Sequence, residues 1–164
     1  MPIVWTGFRR ARQGAWRGRG KEEVTELEEI KLLVIDDETE FLETLVKRMR
    51  KRRLDARGAQ SGEEGLKVLQ QAVVDVVVLD VKMPGMDGIE TLREIKKRFP
   101  LVEVIMLTGH ASLEVAIQGM ELGAFDYLMK PTDIDELLYK VQDAYKKKVL
   151  QEGKIKHVRD DTGG

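Results

Sequence analysis

The stretch "VVVLDVKMPGMDG", Val76 to Gly88, sets four apolar residues in a row, ends them on an aspartate, and passes into Lys, Met, Pro and glycines. A run that is apolar on both faces, with no alternation, fits a strand of a parallel sheet covered by helices on both sides. Standing alone, Asp80 would read as a turn residue or a helix cap. Whether it is more depends on where the other strands end.

Outward from that run the pattern is regular. Upstream, "IKLLVID" from Ile30 reads as a strand, and Phe41, Leu42, Leu45, Val46 and Met49 then recur at helical spacing. "LDARGA" is a weaker strand, and "SGEE" (Ser61 to Glu64) reads as a capping box opening a helix through Leu66, Val68 and Leu69. Downstream, Ile89, Leu92, Ile95 and Phe99 mark a helix broken by Pro100, followed by the strand "VEVIMLT". "SLEVAIQGMELG" predicts a fourth helix closed by Gly123. "AFDYLMK" is a fifth strand, and after Pro131 a last helix turns Ile134, Leu137, Leu138, Val141 and Tyr145 inward. Five strands alternating with five helices predict an α/β fold, a doubly wound parallel sheet with right-handed crossovers and helices on both faces.

The ends of the chain read differently. Residues 1 to 21 carry six basic and no acidic groups, and "EEVTELEE" (22 to 29) is strongly acidic. Arginines interleaved with Trp5, Phe8 and Trp16 would suit RNA or an anionic surface. The absence of apolar periodicity favours a disordered extension over residues 1–29, its acidic part compatible with a short helix leading into a domain at 30–150. The tail 151–164, "QEGKIKHVRDDTGG", has no apolar period and is expected to fray.

With 164 residues, 42% hydrophobic and 35% charged, the chain is long enough to bury a proper core. A formal net charge of −1 gives no bulk attraction to nucleic acid or membrane. The lack of cysteine excludes disulfides, thiol nucleophiles and thiolate-ligated metals. No apolar run approaches the length of a membrane span, and the basic N-terminus lacks the apolar core of a secretory signal, so a cytoplasmic location is expected.

In doubly wound sheets ligands bind at the carboxyl ends of the strands. Here that edge collects Asp36 and Asp37 from the first strand, Asp80 from the third, Thr108 from the fourth, and Lys130 before Pro131 from the fifth. Each has a dull explanation singly. Together, three carboxylates repel unless a cation neutralises them, and a hard oxygen donor set suits Mg²⁺. A divalent ion among acids, facing a lysine and a hydroxyl, suits a phosphoryl group. The sheet then serves as a rigid stand for a reactive Asp80.

At these residues the sequence resembles the receiver domains of two-component response regulators. The likeness spans about Ile30 to Lys148 and rests on "LLVIDDE", "VVVLDVKMPGMDG", "IMLTGHA" and "FDYLMKP". It implies a flavodoxin-like sheet in the order 2-1-3-4-5. It implies Asp80 as acceptor of a phosphoryl group from a kinase phosphohistidine, with Mg²⁺ on Asp37, Asp80 and the main-chain carbonyl of Lys82, and Asp36 acting mostly through bound water. Lys130 would pair with Asp80 at rest and with the phosphoryl group afterwards. Thr108 would bond another phosphoryl oxygen and draw its loop inward, with Tyr127 as the switch aromatic. A cis Lys130–Pro131 peptide is implied, as is a loop shaped by Met83–Pro84–Gly85 and Gly88, where the glycines would relax the backbone.

The implied partners are a sensor histidine kinase or phosphotransfer protein, an output partner of unknown kind, and a second copy on activation. No direct nucleic-acid or membrane contact is expected of the receiver. Dimerisation would use the face of the fourth helix, fifth strand and fifth helix, with Glu121, Asp126, Lys140 and Lys146 setting orientation. An aspartyl-nucleophile phosphatase is the competing reading. It needs an acid two residues past its nucleophile, where Asp80 has Lys82 and Asp37 has Thr39. A phosphate-blind receiver would lack the acids or the lysine, and all are present. The chain is expected to be a phosphoacceptor with self-catalysed phosphorylation and dephosphorylation, not a turnover enzyme. Lys82 and His110, flanking the path of hydrolytic water, would tune the lifetime of the signal.

Overall fold

The computed structural model describes residues 29–81, 87–109 and 113–163, with side chains as far as residue 156. Five strands, β1 (Lys31–Ile35), β2 (Asp55–Ala59), β3 (Val76–Leu79), β4 (Glu103–Thr108) and β5 (Asp126–Met129), alternate with five helices. These are α1 (Thr39–Lys51), α2 (Gly62–Gln71), α3 (Gly88–Arg98), α4 (Leu113–Glu121) and α5 (Ile134–Gly163). The strands form one sheet in the order β2-β1-β3-β4-β5, and every neighbouring pair is parallel. This is the doubly wound arrangement the alternation predicts.

The core lies in two layers because strand side chains alternate sides. Leu33, Ile35, Val77, Leu79, Val104 and Met106 face α2 and α3, where Leu66, Leu69, Leu92 and Ile95 meet them. Leu32, Val34, Val76, Val78, Ile105 and Leu107 face the opposite way, toward Leu42, Leu45 and Met49 of α1 and Leu137, Val141 and Ala144 of α5. All residues of β3 and β4 are buried, which is why β3 and the centre of β4 (residues 104–107) read as continuous apolar runs.

Helix starts follow local side-chain chemistry. Ser61 Oγ accepts from Glu64 N at 3.1 Å, but the return bond of the expected capping box is displaced by one residue, since Glu64 Oε1 accepts from Gln60 N at 2.6 Å. The complete box is on α3, between Asp87 and Glu90. Gly123 closes α4 at φ +104, the left-handed geometry that favours glycine.

Two features depart from expectation. The helix foreseen to end near Leu150 continues through Gly163. Lys148 donates to Glu152 four residues on at 2.8 Å, and Gln151, Glu152, Lys154 and Lys156 are good helix formers that need no apolar face. The amino edge of the sheet also carries buried charge. Lys148 Nζ donates to Asp75 Oδ1 at 2.9 Å, and Asp75 Oδ2 accepts from Lys31 N at 2.9 Å. Nearby Glu103, 2% exposed, faces Lys147 at 3.5 Å. These contacts pin α5 to β3 and β4. Among the described residues no helix is long and apolar enough to cross a membrane. Residues 1–28 of the N-terminal extension, Lys82, Met83–Pro84–Gly85 and His110 lie outside the described residues.

Candidate functional site

The carboxyl edge brings Asp36, Asp37, Asp80, Thr108 and Lys130 together. Asp36 follows β1 and is buried, Asp37 beside it is exposed, and Asp80 follows β3 at 5% exposure. One oxygen from each of the three carboxylates lies within 4.8 Å of the other two. At an effective dielectric constant of about 20, each such pair repels by on the order of 3 kcal/mol. The parallel register enforces the closeness, because Ile35 pairs with Leu79 and each strand then hands its next residue to the same edge. Asp80 N donates to Ile35 O at 2.9 Å, fixing the backbone beneath it.

Among the described residues, Lys130 is the local counter-charge. Its N–H donates to Thr108 O at 3.0 Å, extending the β4–β5 ladder by one residue. Its ammonium donates to Asp36 Oδ2 at 2.7 Å and to Glu38 Oε1 at 2.9 Å, and lies 4.0 Å from the centroid of the Phe41 ring. Burial alone would lower its pKa, but the hydrogen bonds to Asp36 and Glu38 and the fields of Asp36 and Asp80 outweigh it and leave the pKa raised. The family likeness implied Asp80 as the resting partner of this lysine. The hydrogen bonds go instead to Asp36 and Glu38, and Asp80 acts on the ammonium through its field. The Lys130–Pro131 peptide is cis.

Glu38 and Phe41 are the site residues that sequence reasoning missed. The signal was the third letter of "DDE", which puts an acid at the N-cap of α1. Thr108 is fully buried at the end of β4. Tyr127 is half-buried on β5 and packs on the core layer beneath α2 and α3. Gly88 has an unexpected reason for its place. Its φ is not positive, so backbone freedom is not what it supplies. A Cβ there would stand 2.4 Å from Val81 Cα and 2.5 Å from Asp80 O. Glycine lets α3 start directly against the residue that carries the central carboxylate.

The donor set fits a hard divalent cation, with carboxylate oxygens from three residues converging and no soft or nitrogen ligand among them. Asp36 has both oxygens engaged, Oδ1 by Glu38 N at 2.8 Å and Oδ2 by Lys130.

A parallel α/β sheet with clustered acids and a lysine at its carboxyl edge defines a class of phosphoryl-handling domain. Within that class, residues 32–142 match the family model of the response regulator receiver domain. The chain belongs to that family and is a receiver of two-component signalling. It is 39% identical over 111 residues to the DNA-binding transcriptional regulator NtrC of Escherichia coli K12, an alignment covering 68% of this chain and 24% of NtrC. It is likewise 39% identical over 108 residues to the transcriptional regulatory protein ZraR of the same organism, covering 66% of this chain and 24% of that protein. The chain thus spans about a quarter of the length of these relatives. Among solved structures, a response regulator receiver domain protein from Clostridium thermocellum matches with a TM-score of 0.71 and 40% identity, covering 74% of this chain and 98% of that one. A CheY-like receiver from Methanospirillum hungatei JF-1 matches with a TM-score of 0.73 and 28% identity, covering 76% and 99%.

Proposed function

We propose that Asp80 is the phosphoacceptor. A carboxylate oxygen of Asp80 attacks phosphorus, the P–N bond of a kinase phosphohistidine breaks, and its electron pair leaves on the imidazole nitrogen. Mg²⁺, held by Asp37, Asp80 and the Lys82 carbonyl with Asp36 acting through water, would supply charge neutralisation for the acids and the transferring oxygens. Lys130 and Thr108 bind phosphoryl oxygens. Both the gain and the loss of phosphate are catalysed by the receiver itself, in a cytoplasmic signalling pathway. The observation that carries this reading is the convergence of Asp36, Asp37 and Asp80 within 4.8 Å, faced by Lys130.

The output surface follows from the exposed apolar side chains. Leu113, Ile117, Met120, Met129 and Tyr139 lie open on the face of α4, β5 and α5, and Lys140 pairs with Asp126 at 2.7 Å across it. Phosphorylation draws Thr108 toward the phosphoryl group, Tyr127 follows, and this face changes shape to bind a partner or a second copy. The receiver body is assigned to residues 30–150, with 1–29 and 151–164 as appended segments. The test is incubation with Mg²⁺ and acetyl phosphate. One acid-stable, base-labile phosphate should form and map to Asp80, and Asp80→Asn should take up none. Equal uptake by Asp80→Asn would overturn the assignment.

A further inference from the structure

Glu38 occupies the N-cap of α1, a position where short side chains usually accept from the first turn, yet its side chain makes no cap hydrogen bond. Its carboxylate turns to Lys130, which it meets at 2.9 Å. The contacts close a ring. Lys130 Nζ donates to Asp36 Oδ2, Asp36 Oδ1 accepts from Glu38 N, and Glu38 Oε1 accepts from Lys130 Nζ. The Phe41 ring stands 4.0 Å from the ammonium and bounds it on another side. Lys130 is therefore fixed by two acids and an aromatic face of the β1–α1 segment.

We propose that Glu38 is a positioning residue that holds Lys130 in the unphosphorylated protein and competes with the phosphoryl group on Asp80 for its ammonium. This rests on the reading of Asp80 as phosphoacceptor. Asp36 alone cannot play the part, because it belongs to the acid cluster that a cation occupies, and a cation there repels the ammonium. Glu38 lies outside that cluster, so it keeps its hold on Lys130 after the cation binds. Two of the three N–H donors of Nζ are taken by Asp36 and Glu38, and capture by the phosphoryl group draws the ammonium away from Glu38 and weakens that bond. A half-exposed ion pair of this kind sets a modest threshold, which suits a switch that must respond to one phosphate.

The test is titration of the full chain with beryllofluoride, a phosphoryl mimic, at saturating Mg²⁺, followed through the amide resonances of Gly109 and Lys130. Glu38→Ala removes the carboxylate. Glu38→Asp keeps the charge but withdraws it by about 1.5 Å, the length of one carbon–carbon bond, beyond reach of Nζ. Asp is also a good N-cap, so the helix start is safe. Both variants should bind the mimic about three- to fivefold tighter than the parent, the scale of one half-exposed ion pair. If Glu38→Asp matches the parent while Glu38→Ala tightens, the effect is general field and the holding role is refuted. Parent-like affinity in both variants refutes it too, with the Asp80 assignment untouched. If the parent itself fails to bind the mimic, the phosphoacceptor reading falls and this one with it.

Discussion

Replacing Gly88 with alanine tests how closely α3 is built against the strand that ends on Asp80. The new Cβ would lie 2.4 Å from Val81 Cα, 2.5 Å from Asp80 O and 2.8 Å from Val81 O. All three are backbone atoms, so no side chain can swing aside. The first turn of α3 must retreat by roughly 1 Å to restore ordinary contact, stretching the 2.7 Å bond from Gly88 N to Val81 O. Overpacking of this kind costs about 1–3 kcal/mol, and the weakened hydrogen bond adds about 1 kcal/mol. For a domain of this size the sum corresponds to a fall in Tm on the order of 10 °C. Because the strain falls on the Asp80 carbonyl, acetyl phosphate should also label the variant more slowly, by on the order of tenfold to a hundredfold. Thermal unfolding followed by circular dichroism, alongside the labelling rate, measures both. A Gly88→Ala protein that melts within about 2 °C of the parent and labels at the same rate would refute the close-approach argument.

Other expectations follow from the amino edge and from α5. Lys148→Met strips Asp75 of its buried partner and should cost about 3–5 kcal/mol in urea unfolding; a loss below about 1 kcal/mol would show that the pair carries little. The same lysine makes stability depend on alkali. Burial would lower its pKa, but Glu152 and Asp75 together hold it above 10.5. Its contribution is therefore intact below pH 10.5 and lost as pH rises through the higher folded value, so unfolding free energy should decline there, and less steeply in Lys148→Met. Gly153 sits within α5 with open space around it. Gly153→Ala should raise helical ellipticity at 222 nm, at a gain of about 1 kcal/mol; unchanged ellipticity would argue that this part of the helix does not form in solution.

How much of this was legible in the sequence depends on the range over which each residue acts. β3 and the centre of β4 were readable because both faces are buried, and burial there writes itself as an unbroken apolar run. The acid pair at Asp36–Asp37, Asp80 and Lys130 were readable because each ends an apolar strand, and a parallel sheet brings such ends to one edge. Partner choice was not readable. Asp75 and Lys148 are 73 residues apart, and no local period announces that an acid beginning one strand will meet a lysine on the last helix. Glu103 sits at the head of a wholly buried strand, where an apolar residue would have been the natural expectation. The extension of α5 past Leu150 escaped because a solvated helix needs only propensity, and propensity leaves a fainter mark than amphipathic spacing.

That long helix has a mechanical consequence. Lys148, held by Asp75, fastens α5 to the sheet, and beyond it the helix runs on to Gly163. At about 1.5 Å per residue this overhang is about 22 Å long. A rod so fastened would act as a lever with its fulcrum at the floor of the sheet, away from the acid cluster. A tilt of about 5° at that fulcrum, too small to break the Asp75 clasp, carries the tip through about 2 Å. Shape change on the α4–β5–α5 face would thus arrive at the far end of α5 as a rotation, undiminished, because the helix arms on either side of Lys148 are about equally long.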